Sequence, residues 1–442
     1  MPTIWENEEI KSRGRLIGRE VADCTVIGAG MAGLLTAYEL QKRGFGVVVL
    51  EAGRICSGAT KRTTAKITAQ HGLIYDRLIK KQGIDTAKLY YESNYRGIEK
   101  YAQIIKEKNI DCDFKRVPSY LYATKSSYDI LKETHAMHSV HARYEHTKNT
   151  GLPYGVKAAL KLNGQAQFHP LRFASAIAKD LLIYEMSPAI EIEDGMVLTP
   201  VGEVRTHYII NTTHYPLINL PGLYFMRQHQ ERSYALAVAT QKPLEGMYYG
   251  IDDDRSLRSF EGGVIIGGEK HRTGNNRKGG CLCRLKEFAQ KYYPDGEILA
   301  TWSNQDAITH DYVPFIGRYS RFAPRMFVAT GFNKWGMSLS AVAAELIADI
   351  ICERHNDYEK IYTPNRVHLR AAAGRFAVDV GYSVAGLCQG FAGDKEHRCT
   401  HMGCRLRKNP DEGSWECPCH GSEFDGDGKV IFSPAQKNLD RD

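Results

Sequence analysis

Two short motifs near the end of the chain carry the residue types of a metal site. The first motif contains Cys399 and His401, and the second, fifteen residues later, contains Cys417 and His420. Thiolate and imidazole groups are ligands for iron and for zinc. Cysteines clustered in this way in an intracellular protein bind metal more often than they form disulfides. This clustering therefore predicts a metal centre in this part of the chain.

A glycine-rich turn near the start of the chain has the pattern of a phosphate-binding loop. Residues 28–33 read GAGMAG between an apolar strand and a helical pattern. Gly28 permits the tight turn, Gly30 lets the backbone approach a pyrophosphate, and Gly33 lets helix and strand pack closely. A second strand then ends in Glu51, whose carboxylate can accept a hydrogen bond from a ribose hydroxyl. Together these features predict a dinucleotide site; the alternative is a glycine turn in a nucleotide-free α/β domain.

Composition and charge narrow the classes of function. The chain has 442 residues, 43% of them hydrophobic, and a net charge of +7. This length suggests two or three domains. The basic residues are scattered rather than arranged in a stripe, so we expect no nucleic-acid partner. No apolar run approaches the roughly 18 residues of a membrane span, and the charged N-terminus lacks a signal-peptide core. We expect a cytoplasmic protein without a transmembrane segment.

The surrounding elements place the glycine turn in a larger α/β unit. Residues 53–72 are small and polar, which suits a loop passing beside a cofactor, although an ordinary surface loop has the same composition. Residues 223–270 alternate as in an antiparallel sheet. The sequence predicts a strand over 326–330, a loop over 331–336 and an apolar helix over 338–352. This strand–loop–helix order is again typical of a dinucleotide-binding domain. We find no second strand–GxGxxG–helix unit, which predicts one bound dinucleotide.

Five segments together resemble the glycine oxidase and D-amino-acid oxidase (DAO) family of flavoproteins. Their sequences are GAGMAG at 28–33, HPLR at 169–172, INTTHYP at 210–216, DYVPFIGR at 311–318 and ATGFNKWGMSLS at 329–340. The resemblance implies that the dinucleotide is FAD. It also implies a Rossmann-like α/β FAD-binding domain of the DAO type, with an inserted α+β substrate domain.

The same resemblance suggests which residues lie near the cofactor and the substrate. The loop from Ser57 to His71 is expected beside the pyrophosphate and the flavin ring. The loop over 331–336 is expected to lie against the flavin ring, with Gly331, Phe332 and Gly336 near it. Candidates for the substrate face are His71, Lys334 and Trp335, although each of these residue types is more often structural.

Two absences in the sequence refine this resemblance. Residues 301–335 contain no cysteine, where some relatives attach FAD covalently, so we expect noncovalent FAD. Residues 263–266 contain no lysine, where oxidases of the family can carry one that assists oxygen. The second absence favours a dehydrogenase.

The C-terminal motifs resemble the Rieske [2Fe–2S] family, in which two cysteines hold one iron and two histidines the other. By this resemblance the ligands are Cys399, His401, Cys417 and His420. Cys404 and Cys419 match a pair that forms a disulfide in many Rieske proteins. Zinc remains the alternative metal, because a Cys₂His₂ set also suits zinc.

Three further features of this region bear on the cluster. Ser422 is placed to donate a hydrogen bond toward a cluster sulfur, and Phe424 stands where respiratory Rieske proteins carry tyrosine. The segment 380–398 before the first ligand is short for a Rieske domain, which normally places several strands there. The sequence therefore predicts a reduced all-β domain.

These resemblances give a domain prediction. The FAD-dependent oxidoreductase part spans 20–355, a linker spans 356–379, and a shortened Rieske domain spans 380–442. Within the first part, the FAD-binding segments are predicted at about 20–80, 165–220 and 301–355. The substrate-domain segments are predicted at about 81–164 and 221–300.

The predicted activity combines the two cofactors. FAD would take a hydride from an amine or amino-acid-like substrate, and a Rieske cluster would relay single electrons to an acceptor protein or a quinone-type acceptor. No catalytic base is predicted, because the flavin carries the chemistry. Two alternatives remain open: an oxygen-using oxidase with a vestigial cluster, and a non-enzymatic redox sensor or electron carrier.

Overall fold

The structure is a computed structural model of the whole chain. It describes residues 2–8, 10–218, 221–366, 369–392 and 397–439, with no side chains described for 369–373. None of the helices in these ranges combines the length and apolarity that crossing a bilayer requires.

The strands fall into three sheets. Their bounds in chain order are β1 (Gly18–Ile27), β2 (Val47–Leu50), β3 (Lys66–Ile67), β4 (Lys115–Ala123), β5 (Tyr144–Thr147), β6 (Ala158–Gln167), β7 (Leu182–Tyr184), β8 (Glu191–Glu193), β9 (Met196–Thr199), β10 (Gly202–Asn211), β11 (Gln228–Ala239), β12 (Met247–Gly250), β13 (Ser256–Phe260), β14 (Gly263–Arg272), β15 (Ile298–Thr309), β16 (Phe315–Ser320), β17 (Ala323–Thr330), β18 (Arg407–Asn409), β19 (Ser414–Glu416), β20 (Glu423–Phe424) and β21 (Val430–Phe432).

The helices pack on and between these sheets. Their bounds are α1 (Met31–Lys42), α2 (Ile74–Gln82), α3 (Ile84–Lys108), α4 (Tyr128–Ser139), α5 (Pro170–Ala178), α6 (Cys281–Tyr292), α7 (Gly336–Ile351), α8 (Glu359–Tyr362) and α9 (Leu369–Ala392).

The first sheet has eight strands and contains the unit predicted around the glycines. Its main order is β16-β17-β10-β1-β2-β7, and the hairpin β8–β9 extends it from β10. The pairs β10–β1, β1–β2, β2–β7 and β10–β17 are parallel. α1 connects β1 to β2 and packs against α7. This is the doubly wound arrangement expected of a dinucleotide-binding domain.

The second sheet has nine strands in the main order β15-β11-β14-β13-β12-β4-β6-β3, with β5 beside β6. It includes β15, although residues 301–355 were predicted in the FAD-binding part. Conversely, α3 was predicted in the substrate part but packs on α7, the helix that also packs on α1. There a Cβ on Gly97 would lie 2.8 Å from the Ser338 carbonyl oxygen, so the glycine permits this close approach.

The C-terminal lobe, which we define as residues 397–439, contains the four-stranded antiparallel sheet β18-β19-β20-β21. The predicted linker at 356–379 is wrong in its second half, because α9 covers 369–392 and runs across the predicted boundary at 380. Small residues on α9 let the cysteine loops pack directly on the helix. A Cβ on Gly386 would overlap the Cys419 sulfur, and one on Gly390 would overlap the Gly403 carbonyl oxygen.

The C-terminal lobe is anchored on the nine-stranded sheet by buried charges. The guanidinium of Arg232, on β11, is fully buried and forms ion pairs with Glu412, Glu416 and Glu423 of the C-terminal lobe. The nine-stranded sheet therefore supports the C-terminal lobe from outside that lobe.

Candidate functional site

A cavity of about 1030 Å³ lies between the eight-stranded and nine-stranded sheets. Its walls contain every residue predicted near the cofactor or the substrate except Gly33. Those residues are Gly28, Gly30, Glu51, Ser57, His71, Gly331, Phe332, Lys334, Trp335 and Gly336. The structure thus brings together residues that are separated by up to 308 positions in the chain.

The glycine turn has the geometry that a pyrophosphate requires. Gly28 has a φ of +103°, which favours glycine over other residues. A Cβ on Gly33 would overlap the Gly28 carbonyl oxygen, so this glycine is needed for the close packing of α1 on β1. A Cβ on Gly30 would meet only the Thr60 hydroxyl, at 3.3 Å, and would otherwise project into open cavity. The missing side chain at Gly30 therefore leaves the space that a phosphate group needs.

Glu51 shapes this end of the cavity through backbone contacts. Its carboxylate accepts hydrogen bonds of 2.8 Å from the amides of Ala29 and Gly53. Burial raises the pKa of Glu51 despite these bonds. The carboxylate thus holds the loop beside the glycine turn and still borders the cavity.

Thr60 is a residue of this site that the sequence reasoning missed. Its hydroxyl accepts a 3.0 Å hydrogen bond from the amide of Met31, the first residue of α1. The helix N-terminus has unpaired amides that favour negative charge. A threonine in a polar loop gives no signal by itself, since its partner lies 29 residues away.

The loop over 331–336 enters the cavity in a strained backbone conformation. Gly331, Asn333 and Lys334 have φ values of +72°, +51° and +75°. The amide oxygen of Asn333 accepts a 2.9 Å hydrogen bond from the Thr309 amide, which ties the loop to the end of β15. This tie presents Phe332 and Trp335 to the cavity.

The three substrate-face candidates have different surroundings. The His71 ring stacks on Trp335 with centroids 4.7 Å apart, and its nitrogens contact Tyr90 at 2.8 Å and the Thr68 carbonyl at 2.7 Å. Burial lowers the pKa of His71 to about 3, so the imidazole is neutral. With both nitrogens engaged by the protein, His71 can offer the cavity only its apolar surface.

Lys334 belongs to an ionic group in the cavity wall. Its ammonium lies 3.2 Å from a carboxylate oxygen of Glu231, and both residues border the cavity. Burial disfavours the charged lysine, but Glu231 and Asp306 outweigh it and raise the pKa of Lys334. Burial also raises the pKa of Asp306 to about 6. The sequence analysis did not single out either acid, because each lies on a strand whose facing direction depends on the fold.

Lysines do border the cavity, although none lies in 263–266. β14 extends to Arg272 and carries Lys270, which pairs with Asp254 at 2.7 Å. Lys66, on the short strand β3, contacts the Ser256 hydroxyl and the Tyr248 carbonyl. Burial lowers the pKa of Lys66 to about 7. The absence of lysine from 263–266 therefore does not hold for the whole of β14, which carries Lys270.

The Cys/His motifs converge in the C-terminal lobe. Cys399, Cys417 and His420 are each at most 3% exposed, and the sulfurs of the two cysteines lie within hydrogen-bond reach of each other. The His401 and His420 rings lie 5.1 Å apart. The Nδ1 atom of His420 is buried without a hydrogen-bond partner among the described residues, as a metal ligand would be. Two sulfurs beside two imidazoles are the donors that a Rieske cluster needs.

Further contacts surround these four residues. Cys404 and Cys419 are joined by a disulfide. The Ser422 hydroxyl hydrogen-bonds the Cys399 sulfur and accepts a 3.0 Å bond from the amide of Ala435. Phe424 is fully buried in the same apolar cluster as the cysteines.

A separate group of two histidines and one acid, His229, His310 and Asp379, lies between α9 and β11. The Asp379 carboxylate contacts His310 at 2.6 Å and His229 at 3.1 Å, and it pairs with Arg272. Because these polar atoms bind one another and an arginine, the group is satisfied as an ion-pair network. Arg272 in turn donates to the carbonyls of Pro418 and Cys419 and so supports the second cysteine loop.

The cavity and the cysteine loops are connected through β11. The Gln230 amide donates hydrogen bonds of 3.0 Å to the carbonyls of His420 and Ser433. The next residue, Glu231, borders the cavity. The C-terminal lobe also supplies part of the cavity wall, through Val430, Ile431, Phe432, Ser433, Ala435, Gln436 and Lys437.

Two family models match the chain. The FAD dependent oxidoreductase model (DAO) matches residues 23–350, and the Rieske [2Fe-2S] domain model matches residues 395–441. These matches cover the cavity and the Cys/His motifs respectively.

Relatives and solved structures agree with both matches. YhfW of Bacillus subtilis (strain 168), whose name describes a Rieske 2Fe-2S iron-sulfur protein, is 34% identical over 99% of this chain and 96% of its own length. Gamma-glutamylputrescine oxidoreductase of Escherichia coli (strain K12) is 28% identical over 42% of this chain and 48% of its own.

In structure, the chain is similar to glycine oxidase from Geobacillus kaustophilus. The TM-score is 0.67 at 18% identity, covering 79% of this chain and 99% of that one. At this identity the likeness shows the fold. With the family matches, it follows that the chain belongs to the FAD-dependent oxidoreductase family, carries a C-terminal Rieske domain, and is an oxidoreductase whose cofactors are FAD and a [2Fe–2S] cluster.

Proposed function

We propose that this protein is a dehydrogenase that oxidises an amine or amino-acid-like substrate and passes the electrons through its Rieske centre to a protein or quinone-type acceptor. When bound, FAD accepts a hydride from a C–H bond next to nitrogen, and the [2Fe–2S] cluster accepts electrons one at a time. The two cofactors thus divide a two-electron oxidation into single-electron steps.

The observation that carries this proposal is the shared wall between the two cofactor sites. Residues 430–437 of the C-terminal lobe border the cavity, while the same lobe carries the Cys/His motifs. Gln230 holds the His420 carbonyl from a strand whose next residue, Glu231, borders the cavity. A vestigial cluster would not need its loop bonded to a strand that borders the cavity, so this contact favours electron relay.

The residues of the cavity are proposed to bind and orient FAD without a covalent bond. Gly28, Gly30 and the α1 amides would hold the pyrophosphate, and Glu51 the ribose. Cys56 also borders the cavity, but burial raises the pKa of its thiol, which keeps it protonated and unreactive. This supports a cofactor that acid releases intact.

The remaining cavity walls are proposed to orient the substrate and exclude water. Trp335 and Tyr249 form an aromatic corner with ring centroids 5.8 Å apart. Glu231 and Asp306 place two carboxyl groups beside this corner, and an amine would be attracted to them. Because these carboxyl groups lie in a buried cavity, their attraction for a cationic substrate is stronger than it would be in water, and it would orient the substrate's amine.

At the cluster, Cys399 and Cys417 are proposed as ligands of one iron, and His401 and His420 as ligands of the other. The buried, unpartnered Nδ1 of His420 supports this assignment. Because the disulfide between Cys404 and Cys419 links the two ligand loops, it would keep the four donors together.

An oxygen-using oxidase is the second candidate, and Lys66 is the observation that favours it. This buried lysine borders the cavity and has a pKa lowered to about 7, so it can exchange a proton there near neutral pH. A cationic group beside a reduced flavin would attract a developing negative charge on oxygen.

One experiment separates the two candidates. The holoenzyme is first screened anaerobically with amines and amino acids for bleaching of the flavin absorbance. Reoxidation of the bleached enzyme is then followed with oxygen and, separately, with ferricenium or a soluble quinone. Fast reoxidation by the one-electron acceptor, lost when the cluster is removed by Cys399→Ser, supports the relay. Equally fast reoxidation by oxygen alone would identify an oxidase, and bleaching by no amine would leave only an electron carrier.

A further inference from the structure

One segment of the C-terminal lobe lies between the cavity and the cluster loops. This segment, residues 433–437, borders the cavity through Ser433, Ala435, Gln436 and Lys437. Its far end is tied to the first ligand loop, because the Lys437 carbonyl accepts a 2.6 Å hydrogen bond from the Thr400 hydroxyl. Thr400 stands between Cys399 and His401 in the chain. The segment therefore contacts the flavin cavity and a ligand loop at once.

Ala435 belongs to both sides of this wall. It borders the cavity, and it is also a buried member of the apolar cluster that contains the four cysteines of the C-terminal lobe. Because alanine is small, one short residue separates the cavity from the cysteines at this point. Val430 is the other described residue that belongs to both sets, but it is only half-buried.

Two hydrogen bonds continue from Ala435 to a cluster ligand. The Ala435 amide donates a 3.0 Å bond to the Ser422 hydroxyl, and this hydroxyl hydrogen-bonds the Cys399 sulfur. The other link, through Gln230, reaches only the backbone carbonyl of His420, several bonds away from the imidazole. Electrons tunnel more readily through bonded and hydrogen-bonded atoms than across open space. The link through Ala435 is therefore the shorter route to an atom that holds iron.

We infer that Ala435 is the bridge by which electrons pass from the flavin cavity to the cluster, and that they enter the cluster through Ser422 and Cys399. This inference rests on the proposed function, because it gives the electron relay a route. Each crossing moves one electron and reduces one of the two ferric ions to ferrous. The protein or quinone-type acceptor removes that electron before the next one crosses. Two crossings reoxidise the reduced flavin, whose protons pass to water.

The exposure of the ligands agrees with entry at a cysteine. Cys399 and Cys417 are at most 2% exposed, whereas His401 is only half-buried. Entry at the buried cysteines leaves the half-exposed histidine available to an acceptor. Electrons would thus enter and leave the cluster through different ligands.

The test follows one electron and needs no substrate. FAD in the cluster-containing holoprotein is reduced by a light flash in the presence of EDTA without oxygen, and bleaching of the cluster absorbance then reports the transfer. Ala435→Val and Ala435→Leu place added carbons between the cavity and the cysteines. Transfer should slow in that order, severalfold for leucine. Lys429→Leu is the matched control, because it adds leucine at an exposed position of the same lobe outside the cavity wall.

Ser422→Ala breaks the hydrogen-bonded link without adding bulk, so it tests the bridge even if a larger residue at 435 prevents folding. Transfer in Ser422→Ala should slow by more than its change in potential, measured by voltammetry, accounts for. Gln230→Met removes the donor to the His420 carbonyl at similar length and should slow transfer less. Iron content and the EPR signal are measured in each variant, because a merely structural role would lower both.

Three results would overturn the bridge. The first is no flash-driven transfer in the unmodified holoprotein. The second is unchanged transfer in Ser422→Ala and Ala435→Val with the cluster intact. The third is slowing in Gln230→Met, with its cluster intact, that equals or exceeds the slowing in Ser422→Ala. If no amine bleaches the flavin but Ser422→Ala still slows flash-driven transfer, the proposed oxidation fails and the bridge stands.

Discussion

The glycine turn and the cluster loops differ in where their supporting side chains come from. The turn is supported mainly by residues close in sequence: Glu51 bonds the Ala29 amide, and Thr60 bonds the Met31 amide. The cluster loops depend on residues far away in the chain, since Arg232 pairs with three acids of the C-terminal lobe. The glycine turn is thus supported by residues of its own part of the chain. The C-terminal lobe, in contrast, is supported by a strand of the nine-stranded sheet.

This difference has a functional consequence. In a Rieske domain with its own base, the cluster can keep its environment while the domain moves. Here the carboxylates of Glu416 and Glu423 are almost fully buried against Arg232. Undocking the C-terminal lobe would break all three ion pairs at once, together with the hydrogen bonds that Gln230 and Arg272 donate to the second cysteine loop. The cluster is therefore fixed beside the flavin cavity.

The largest expected effect comes from a substitution in the glycine turn, which should affect the flavin site and leave the cluster loops unchanged. Gly30→Val should abolish FAD binding, because the added side chain would fill the space left for the pyrophosphate. The iron content and the Rieske EPR signal should remain, since Gln230 and Arg272 rather than this turn hold the second cysteine loop. Measurement of flavin and iron per chain checks both statements. Gly14→Val is the control, because a Cβ at Gly14 meets no atom within 4 Å. Retention of FAD by Gly30→Val would contradict the assignment of the turn.

The second prediction breaks the other region. Arg232→Ala removes the ion-pair partner that Glu412, Glu416 and Glu423 share, and it should destabilise docking of the C-terminal lobe by about 3–5 kcal/mol. We expect loss of cluster content while FAD is retained, as shown by iron analysis and flavin absorbance. Arg325→Ala is the matched control, since its pair with Asp194 is exposed and such pairs contribute about 0–1 kcal/mol. Equal cluster content in both variants would show that the lobe does not need the buried pairs.

The third prediction sharpens the cluster assignment itself. His420→Cys replaces an imidazole by a thiolate, which adds negative charge and should lower the reduction potential by on the order of 100 mV or more. EPR of the reduced protein should move from Rieske-like to ferredoxin-like. His355→Cys serves as the control because its side chain is 88% exposed. Zinc instead of iron in the unmodified protein would refute the Rieske site altogether.

The smallest expected effects concern hydrogen bonds to cluster sulfur. Ser422→Ala removes the hydroxyl that bonds the Cys399 sulfur, and it should lower the potential by on the order of 40 mV, the equivalent of about 1 kcal/mol. Phe424→Tyr should raise the potential, since a new hydroxyl would stabilise the reduced state. Protein-film voltammetry on both variants measures the shifts. An unchanged potential in Phe424→Tyr, with a lowered one in Ser422→Ala, would mean that residue 424 does not face the cluster.

The elements that the sequence predicted well are those whose chemistry is local. The unit from β1 to β2 follows from glycines, an apolar strand and Glu51 within one stretch, and the Cys/His spacing follows from two short motifs. Family resemblance then brought distant loops to one cavity, as at Gly331 and Trp335. The glycine unit and the Cys/His spacing are each complete within about 25 residues, so both can be recognised without knowledge of the tertiary structure.

The parts that were missed depend on partners far away in the chain. Arg232 lies in a strand with neighbouring polar residues, so its burial becomes clear only with three acids some 180 positions later. α9 was not predicted as one helix, since residues 369–379 were placed in the linker and 380–392 in the Rieske domain. Its alanines and glycines give little amphipathic signal, yet Gly386 and Gly390 allow close contact with the cysteine loops. The assignment of β15 failed for the same reason, since its partner β11 lies far away in sequence.

The position of residues 430–437 in the cavity wall also bears on how the holoprotein assembles. During translation these residues leave the ribosome after every other segment that borders the cavity. Flavin can therefore enter a nascent chain whose last wall is still missing, and docking of the C-terminal lobe then encloses it. Completion of the cavity wall therefore waits for the C-terminal lobe, the same lobe that carries the Cys/His motifs.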